Sequence, residues 1–203
     1  MEGDGHTRPN PPAEAHQEEE GVRMARAEPW QRAEIPGPVR ALVITKPEVV
    51  VALLERAKRP ILVVGHEAAE VELGPVKAID FVIRIAEGGN IPVVATAHTV
   101  REFKERGFMP GAWMPVMDIA NRLRDPSWRG LDGGGRYDLA LFVGIPYYME
   151  WLVLSGLKHF SPNLKSVSLD RYYQPHASWS FPNLSKEEWH KSLELIIDKL
   201  GGE

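Results

Sequence analysis

The fold class of this chain is decided by the stretch Ala57-Lys58-Arg59-Pro60-Ile61-Leu62-Val63-Val64-Gly65. Its apolar part, residues 61–64, is a continuous run of aliphatic side chains, which is typical of a strand that is covered on both faces. The residues before it end a helix that is predicted over about residues 48–58, and Gly65 ends the strand. A helix that leads into a doubly covered strand indicates an α/β domain with a parallel sheet.

The same alternation continues along the chain on both sides of this stretch. Thr45 and Glu48 have the spacing of a capping box at the start of the first helix, and Ser185 and Glu188 repeat that spacing at the start of the last one. Another helix is predicted from Pro75. Further strands are predicted over residues 91–96, 138–144 and 165–170, and a helix over residues 147–160. We therefore expect a three-layer α/β/α, Rossmann-like domain with a mainly parallel sheet.

Two segments depart from this alternation. Residues 1–38 contain six prolines, an acidic run at Glu18-Glu19-Glu20 and few periodic apolar residues, so they are predicted to form a partly disordered tail or arm. Trp30 and the Pro-Gly-Pro turn at residues 36–38 would allow this arm to lie along the domain or along another subunit. Residues 39–203 are predicted to form one domain, with an irregular insertion near residues 107–137.

Composition excludes several classes of function. The chain has 24 Lys and Arg against 28 Asp and Glu, a net charge of −4, so it lacks the dense positive charge that nucleic acids and anionic membranes attract. No apolar run approaches the roughly 20 residues that cross a bilayer, and the first residues do not resemble a secretory signal. We expect a cytoplasmic protein. Because the chain has no cysteine, it cannot supply thiolate ligands to an iron–sulfur cluster.

The predicted sheet suggests where a ligand would bind. In an open parallel sheet the ligand crevice lies beyond the carboxyl ends of the strands, where backbone N–H groups face anions. Glycines there would let a ligand approach the main chain, threonines could donate to phosphate, and Asp170 could accept from a ribose hydroxyl. The alternative is that these residues only turn the chain and cap helices. The candidate cofactor-binding residues are Gly65, His66, Thr96, His98, Gly144, Tyr147 and Asp170.

No catalytic or metal-binding set stands out in the sequence. His66 and His98 would approach each other only if their strands are adjacent, and no H-x-x-x-H or H-E-x-x-H pair occurs. The glycine cluster at residues 133–135 precedes a predicted strand, whereas a dinucleotide fingerprint follows one, so a turn is expected there. Its neighbours Trp128 and Asp132 could belong to a partner-binding surface. The aromatic run Tyr147, Tyr148 and Trp151 is expected mainly in the core, and an exposed subset would mark an interface.

Several motifs resemble known families. The segments at residues 57–65, 90–96 and 138–144 are similar to the central domain of thiamine-diphosphate enzymes such as pyruvate oxidase, which in some members holds FAD. A closer similarity is carried by Trp30, by residues 35–38 and 178–185, and by residues 125–138 (Asp-Pro-Ser-Trp-Arg-Gly-Leu-Asp-Gly-Gly-Gly-Arg-Tyr-Asp). These motifs resemble the epsilon subunit family of the archaeal acetyl-CoA decarbonylase/synthase complex.

This resemblance implies an accessory subunit without catalytic residues of its own. It would bind the large nickel–iron–sulfur alpha subunit in an α2ε2 carbon monoxide dehydrogenase component, and would stabilise that component or pass electrons from CO oxidation to FAD. FAD is the only cofactor that the resemblance suggests, at positions such as Gly65, Thr96, Gly144 and Asp170. The alternative is a stand-alone FAD- or NAD-binding protein that uses the strand-end crevice. Self-association of the isolated chain is left open.

Overall fold

The computed structural model describes residues 40–96 and 99–201. The predicted arm and His98 lie outside these residues. Strands and helices follow one another in this order: β1 (Leu42–Val43), α1 (Glu48–Arg56), β2 (Pro60–Val64), α2 (Glu67–Glu70), β3 (Glu72–Leu73), β4 (Val76–Lys77), α3 (Ala78–Gly88), β5 (Val93–Ala95), α4 (Thr99–Glu105), β6 (Ala112–Trp113), α5 (Val116–Arg124), β7 (Leu139–Val143), α6 (Tyr147–Phe160), β8 (Lys165–Ser168), β9 (Trp179–Ser180) and α7 (Lys186–Leu200).

Seven of these strands form one sheet in the order β1-β9-β8-β7-β2-β5-β6. Every neighbouring pair in it is parallel. The central strand β2 pairs with β7 on one side, where Val64 lies opposite Val143, and with β5 on the other, where Val64 lies opposite Ala95. The chain runs from β2 outward to β5 and β6 before it returns to β7, so the topological switch point lies between β2 and β7.

Alternate residues of the central strand face two separate apolar layers. Leu62 and Val64 pack among residues of α1, α3 and α7, whereas Ile61 and Val63 pack among residues of α5 and α6. All four side chains are fully buried, which explains why the run is aliphatic at every position rather than at every second one. The predicted three-layer α/β/α architecture with a parallel sheet is confirmed.

Two helix starts differ from the sequence prediction. The predicted capping box of Thr45 and Glu48 does not form, because Pro47 already has helical backbone angles and itself occupies the N-cap without a side-chain hydrogen bond. The helix predicted from Pro75 begins only at Ala78, since Val76 pairs with Leu73 in an antiparallel hairpin. The capping box at α7 is confirmed: Glu188 N donates to Ser185 Oγ at 3.2 Å, and Ser185 N donates to Glu188 Oε2 at 2.9 Å.

The predicted insertion near residues 107–137 is partly regular. It contains β6, which pairs with β5 at the edge of the sheet, and α5, which packs beside α6. The two-residue strands β1, β6 and β9 carry no sequence signal of their own and were not predicted. None of the helices in residues 40–96 and 99–201 combines the length and the apolar composition that a bilayer crossing requires.

Candidate functional site

Two glycines at the switch point are packed against each other. A Cβ at Gly65 would overlap the carbonyl group of Gly144, and one at Gly144 would overlap the main chain of Ala68 in α2. Gly65 N donates to Val143 O and Glu67 N donates to Gly144 O, each at 2.9 Å. Main chain from the two loops and from α2 therefore fills the space beside these glycines.

Asp170 follows β8 and points toward the end of β7. Gly144 N donates to both of its carboxylate oxygens, at 2.9 Å and 3.0 Å. Burial raises the pKa of Asp170 to about 6, although the N–H of Gly144 acts in the opposite direction. The carboxylate thus holds a strand end of its own chain.

Glu150 is a fully buried carboxyl group in the first turns of α6. Burial, followed by the nearby charge of Asp170, raises the pKa of Glu150 well above its ordinary value. The two carboxyl groups are close enough for each to influence the pKa of the other. Because two ionised carboxylates at close range repel each other, we expect the pair to hold one proton, and we assign it to Glu150.

Gln174 completes the buried polar group. Its Nε2 donates to Tyr147 O at 3.0 Å and to Glu150 Oε2 at 3.4 Å. Within the described part of the chain, no hydrogen-bond partner is found for three buried oxygen atoms, Glu150 Oε1, Gln174 Oε1 and Ser168 Oγ. The polar atoms in this part of the interior are therefore mainly carboxyl and amide oxygens that accept hydrogen bonds, together with one hydroxyl group.

These side chains border a small cavity beyond the ends of β7 and β8. Its volume is about 50 Å³, whereas a cavity needs about 10–15 Å³ to hold one water molecule. The cavity therefore has room for a few water molecules and is far too small for a dinucleotide. The polar side chains that line it are Glu67, Tyr147, Glu150, Asp170, Arg171, Tyr172 and Gln174.

The structure brings together only part of the predicted site. Gly144, Tyr147 and Asp170 border the cavity, and Gly65 lies against Gly144. Thr96 is buried where the chain turns after β5, with its N–H donating to Val64 O at 2.8 Å. His66 is exposed at the start of α2 and its side chain caps no N–H group. His98 lies outside the described residues.

Glu150 and Gln174 were missed by sequence reasoning. Glu150 lies on the same helical face as the core residues Val153, Leu154 and Leu157, and a carboxylate on an apolar face is a signal that periodicity could have revealed. Gln174 lies in an irregular segment where no pattern singles it out.

In residues 40–96 and 99–201, several of the predicted FAD positions make contacts within the chain. The glycines that would admit a pyrophosphate are covered by Ala68 and by each other, and the carboxylate that would bind a ribose accepts a main-chain N–H. The same residues contain no group of three or more His, Asp or Glu side chains that could hold a metal ion.

The glycine-rich string is located at the opposite, amino-terminal edge of the sheet. Arg59 Nη2 donates to Asp132 at 2.5 Å, and the Arg59 guanidinium lies 5.2 Å from the centre of the Tyr137 ring. A Cβ at Gly134 would lie 2.6 Å from Arg59 Nη1. We call residues 130–138, which surround this side chain, the Arg59 clasp. The glycines let the loop close around a guanidinium rather than around a phosphate.

Asp138 fixes the end of the clasp to β2. Its two carboxylate oxygens accept from Lys58 N and Arg59 N, both at 2.8 Å. A cleft of about 470 Å³ opens beside the clasp, lined in part by Lys58, Asn90 and Leu131. The motif that distinguishes this sequence thus builds a rigid surface far from the strand-end cavity.

Comparison with known proteins identifies the family. Residues 23–197 match the family described as CO dehydrogenase beta subunit/acetyl-CoA synthase epsilon subunit. The chain is 37% identical over 168 residues, 83% of its length and 93% of the relative's, to a protein of Methanothermobacter thermautotrophicus named acetyl-CoA decarbonylase/synthase complex subunit epsilon. It is 40% identical over 172 residues, 83% of its length and 89% of the relative's, to the Methanothrix soehngenii protein of the same name.

A third relative gives the same result. The chain is 38% identical over 165 residues to subunit epsilon 1 of this complex from Archaeoglobus fulgidus, covering 79% of the chain and 86% of the relative. The family match, over residues 23–197, includes the sheet, both helical layers and the Arg59 clasp. The chain therefore belongs to the CO dehydrogenase beta subunit/acetyl-CoA synthase epsilon subunit family.

Proposed function

We propose that this chain is an accessory, non-catalytic subunit of an acetyl-CoA decarbonylase/synthase complex, in which it binds and stabilises the cluster-bearing subunit of the CO dehydrogenase component. The observation that carries the proposal is the similarity, over 83% of the chain, to proteins named as the epsilon subunit of that complex. An α2ε2 assembly, as the resemblance implies, would place one such chain on each cluster-bearing subunit.

The chemistry of the residues supports an accessory role. Iron–sulfur clusters are held mainly by cysteine thiolates, and the sequence has no cysteine. The buried carboxyl groups of Glu150 and Asp170 are used by Gln174 and by the main chain of Gly144. Clusters that oxidise CO would therefore belong to the partner, and this chain would contribute binding energy.

The insertion offers a surface for such a partner. Met109, Trp113 and Met117 are large apolar side chains that are exposed to solvent, and exposed apolar groups of this size often mark interfaces. The neighbouring Arg59 clasp is held by hydrogen bonds, so little conformational entropy would be lost when a partner binds to it. We propose that the insertion and the clasp form the docking surface.

Co-expression under anaerobic conditions tests this function. The tagged chain is expressed with the cluster-bearing CO dehydrogenase subunit of the same source, and the purified complex is heated before CO oxidation is assayed. We expect the two chains to purify together and the half-life of activity to be longer than without the tagged chain, because binding to the folded state stabilises it. Failure to associate, or an unchanged half-life, would contradict the proposal.

Flavin binding by this chain stays a prediction. FAD at the switch point would require α2 to move, because Ala68 covers Gly144. Adding FAD to the isolated chain and recording its melting temperature tests the point directly: ligand at a hundredfold excess over Kd stabilises a protein by about 2.7 kcal/mol. An unchanged melting temperature would remove FAD from the proposed function and leave the accessory role in place.

A further inference from the structure

Helix α6 presents an apolar stripe to solvent. Four of its residues are spaced by four positions: Tyr148, Leu152, Gly156 and Phe160. The exposed fractions of the three large side chains are 81%, 56% and 62%, respectively. Among the residues that the structure describes, no heavy atom lies within 4 Å of a Cβ placed on Gly156, so the stripe has an open notch between Leu152 and Phe160.

The opposite face of the same helix is also apolar. Val153, Leu154 and Leu157 are buried against the sheet. A helix at the surface of a domain usually has one apolar stripe and a polar outer face. α6 is apolar on both sides, which indicates that its outer face is covered in the functional state.

We propose that the outer face of α6 packs against the same face of a second copy of this chain, with the two helices antiparallel. The four positions are symmetric about residue 154. A two-fold axis there would place Tyr148 opposite Phe160 of the partner subunit and Leu152 opposite Gly156 of the partner subunit. The projecting leucine of each copy would enter the open notch of the other, the self-complementarity that a two-fold interface requires.

Residues spaced by four form the ridges that interdigitate in the commonest class of helix packing. A glycine in such a ridge allows the two backbones to approach closely, because it has no side chain. α6 is 14 residues long, or about 21 Å at 1.5 Å per residue, so the stripe extends along nearly its full length.

The charges beside the stripe favour the antiparallel arrangement. Lys158 and His159 lie in the last turn of α6, and the Arg124 guanidinium lies 5.5 Å from the centre of the Phe160 ring. The only carboxylate in α6 is Glu150, which is buried. Parallel helices would bring the two cationic ends together. Antiparallel helices keep them about 18 Å apart, because each Phe160 is six residues from the centre, a distance beyond the screening length of about 8 Å.

Sedimentation equilibrium of the full chain tests whether the pair forms. We expect dimers at about 100 μM that dissociate on dilution, as for an interface of modest area. Replacing an apolar anchor should raise the dissociation constant by at least about 30-fold, and this applies to Leu152→Glu and, independently, to Tyr148→Lys, whose new charge would face the cationic end of the partner helix. Both side chains are exposed in the monomer, so neither change removes core packing, and circular dichroism verifies the fold.

Met109→Glu is the matched control. Its side chain is 65% exposed and lies in the insertion, so the change should leave the dissociation constant unaltered. A full chain that is monomeric at this concentration would overturn the proposal, whether another part of the chain or a different protein covers α6. A dimer that Leu152→Glu and Tyr148→Lys leave intact would overturn it as well.

Cross-linking tests the register. Because the sequence has no cysteine, a thiol cross-linker joins only introduced residues. In an equimolar mixture of the single variants Leu152→Cys and Gly156→Cys, a short bismaleimide should join one chain of each kind into a covalent dimer, whereas Met109→Cys alone should not be joined; neither single variant can form a bridge within one chain. Cross-linking at Met109 alone would show that a different face pairs. The assay uses no cluster-bearing subunit, so its outcome is independent of the proposed function.

Discussion

Asp170 accepts the N–H of Gly144 with both carboxylate oxygens, at 2.9 Å and 3.0 Å, and so ties the end of β8 to the end of β7. The contact occurs where the resemblance to FAD-binding domains would place a ribose. Here an acidic residue at a strand end stabilises the crossover loops of the domain itself. This role can be separated from ligand binding by measuring stability in the absence of any ligand.

We expect Asp170→Ala to lower the free energy of unfolding by about 1–3 kcal/mol, because the Gly144 N–H would lose its acceptor. Asp170→Asn should cost less, since the amide oxygen can still accept. Urea denaturation of the two variants and the parent chain measures the difference. Equal stability of Asp170→Ala and the parent would show that the hydrogen bond contributes nothing measurable.

The pH dependence of stability should report on Glu150. A carboxyl group whose pKa is raised in the folded state stabilises that state while it is protonated, and this contribution is lost as the pH rises through the folded-state pKa. The pKa values of Glu150 and Asp170 are both raised, mainly by burial. We therefore expect the free energy of unfolding to fall as the pH rises through the raised pKa values of the pair, from about 6 for Asp170 upward.

Glu150→Gln should remove much of that fall, because a glutamine amide can donate to Asp170 at every pH. Urea denaturation at pH 7 and pH 9 measures the effect, and Glu55→Gln, an exposed position on α1, is the control. Between pH 7 and pH 9 His176 contributes little, because burial lowers its pKa to about 4 in the folded state and an unfolded histidine is mostly neutral above its ordinary pKa of about 6.5. A parallel decline in Glu150→Gln and the parent would contradict the assignment of the proton.

Gly144 and Gly107 provide a matched pair for a test of packing. Both have positive φ angles, 68° and 74°. A Cβ at Gly144 would overlap Ala68, whereas a Cβ at Gly107 would have no atom of residues 40–96 and 99–201 within 4 Å. Gly107→Ala should cost only the conformational term of about 1–2 kcal/mol. Gly144→Ala should cost clearly more, because the α2 backbone must also move. Thermal unfolding measures the stability that each variant loses. Equal losses would mean that α2 can move at little cost in free energy and that the crevice can open.

The sequence predicts the parts of this fold that depend on local patterns. The fully apolar runs of β2 and β7 and the capping box of Ser185 are visible in short windows, and each was found. β1 and β9 were not, because two-residue strands are defined by the partner they pair with rather than by their own residues. The same reason applies to the candidate site: Asp170 was predicted as a ligand group, and only the register of β7 and β8 reveals that it binds Gly144.

The Arg59 clasp should depend on the guanidinium at its centre. Arg59 contacts Asp132 and the ring of Tyr137, and a Cβ at Gly134 or Gly130 would lie within 3.1 Å of its nitrogen atoms. In Arg59→Ala the loop loses the group around which it closes, and we expect amide hydrogens of residues 130–135 to exchange at least about tenfold faster, since local opening would become easier. Mass spectrometry of peptides from this loop measures the rate.

Global stability should change less than the exchange rate in Arg59→Ala, because an ion pair with an exposed aspartate contributes about 0–1 kcal/mol. Arg101→Ala, which removes an exposed pair with Glu105 on α4, is the control and should leave the loop unaffected. If the clasp belongs to the docking surface, Arg59→Ala should also weaken association with the cluster-bearing subunit, because a loosened loop must be ordered again on binding. If amide exchange becomes faster while association with the cluster-bearing subunit is unchanged, the clasp has only a structural role. The docking surface would then consist of the exposed apolar residues of the insertion.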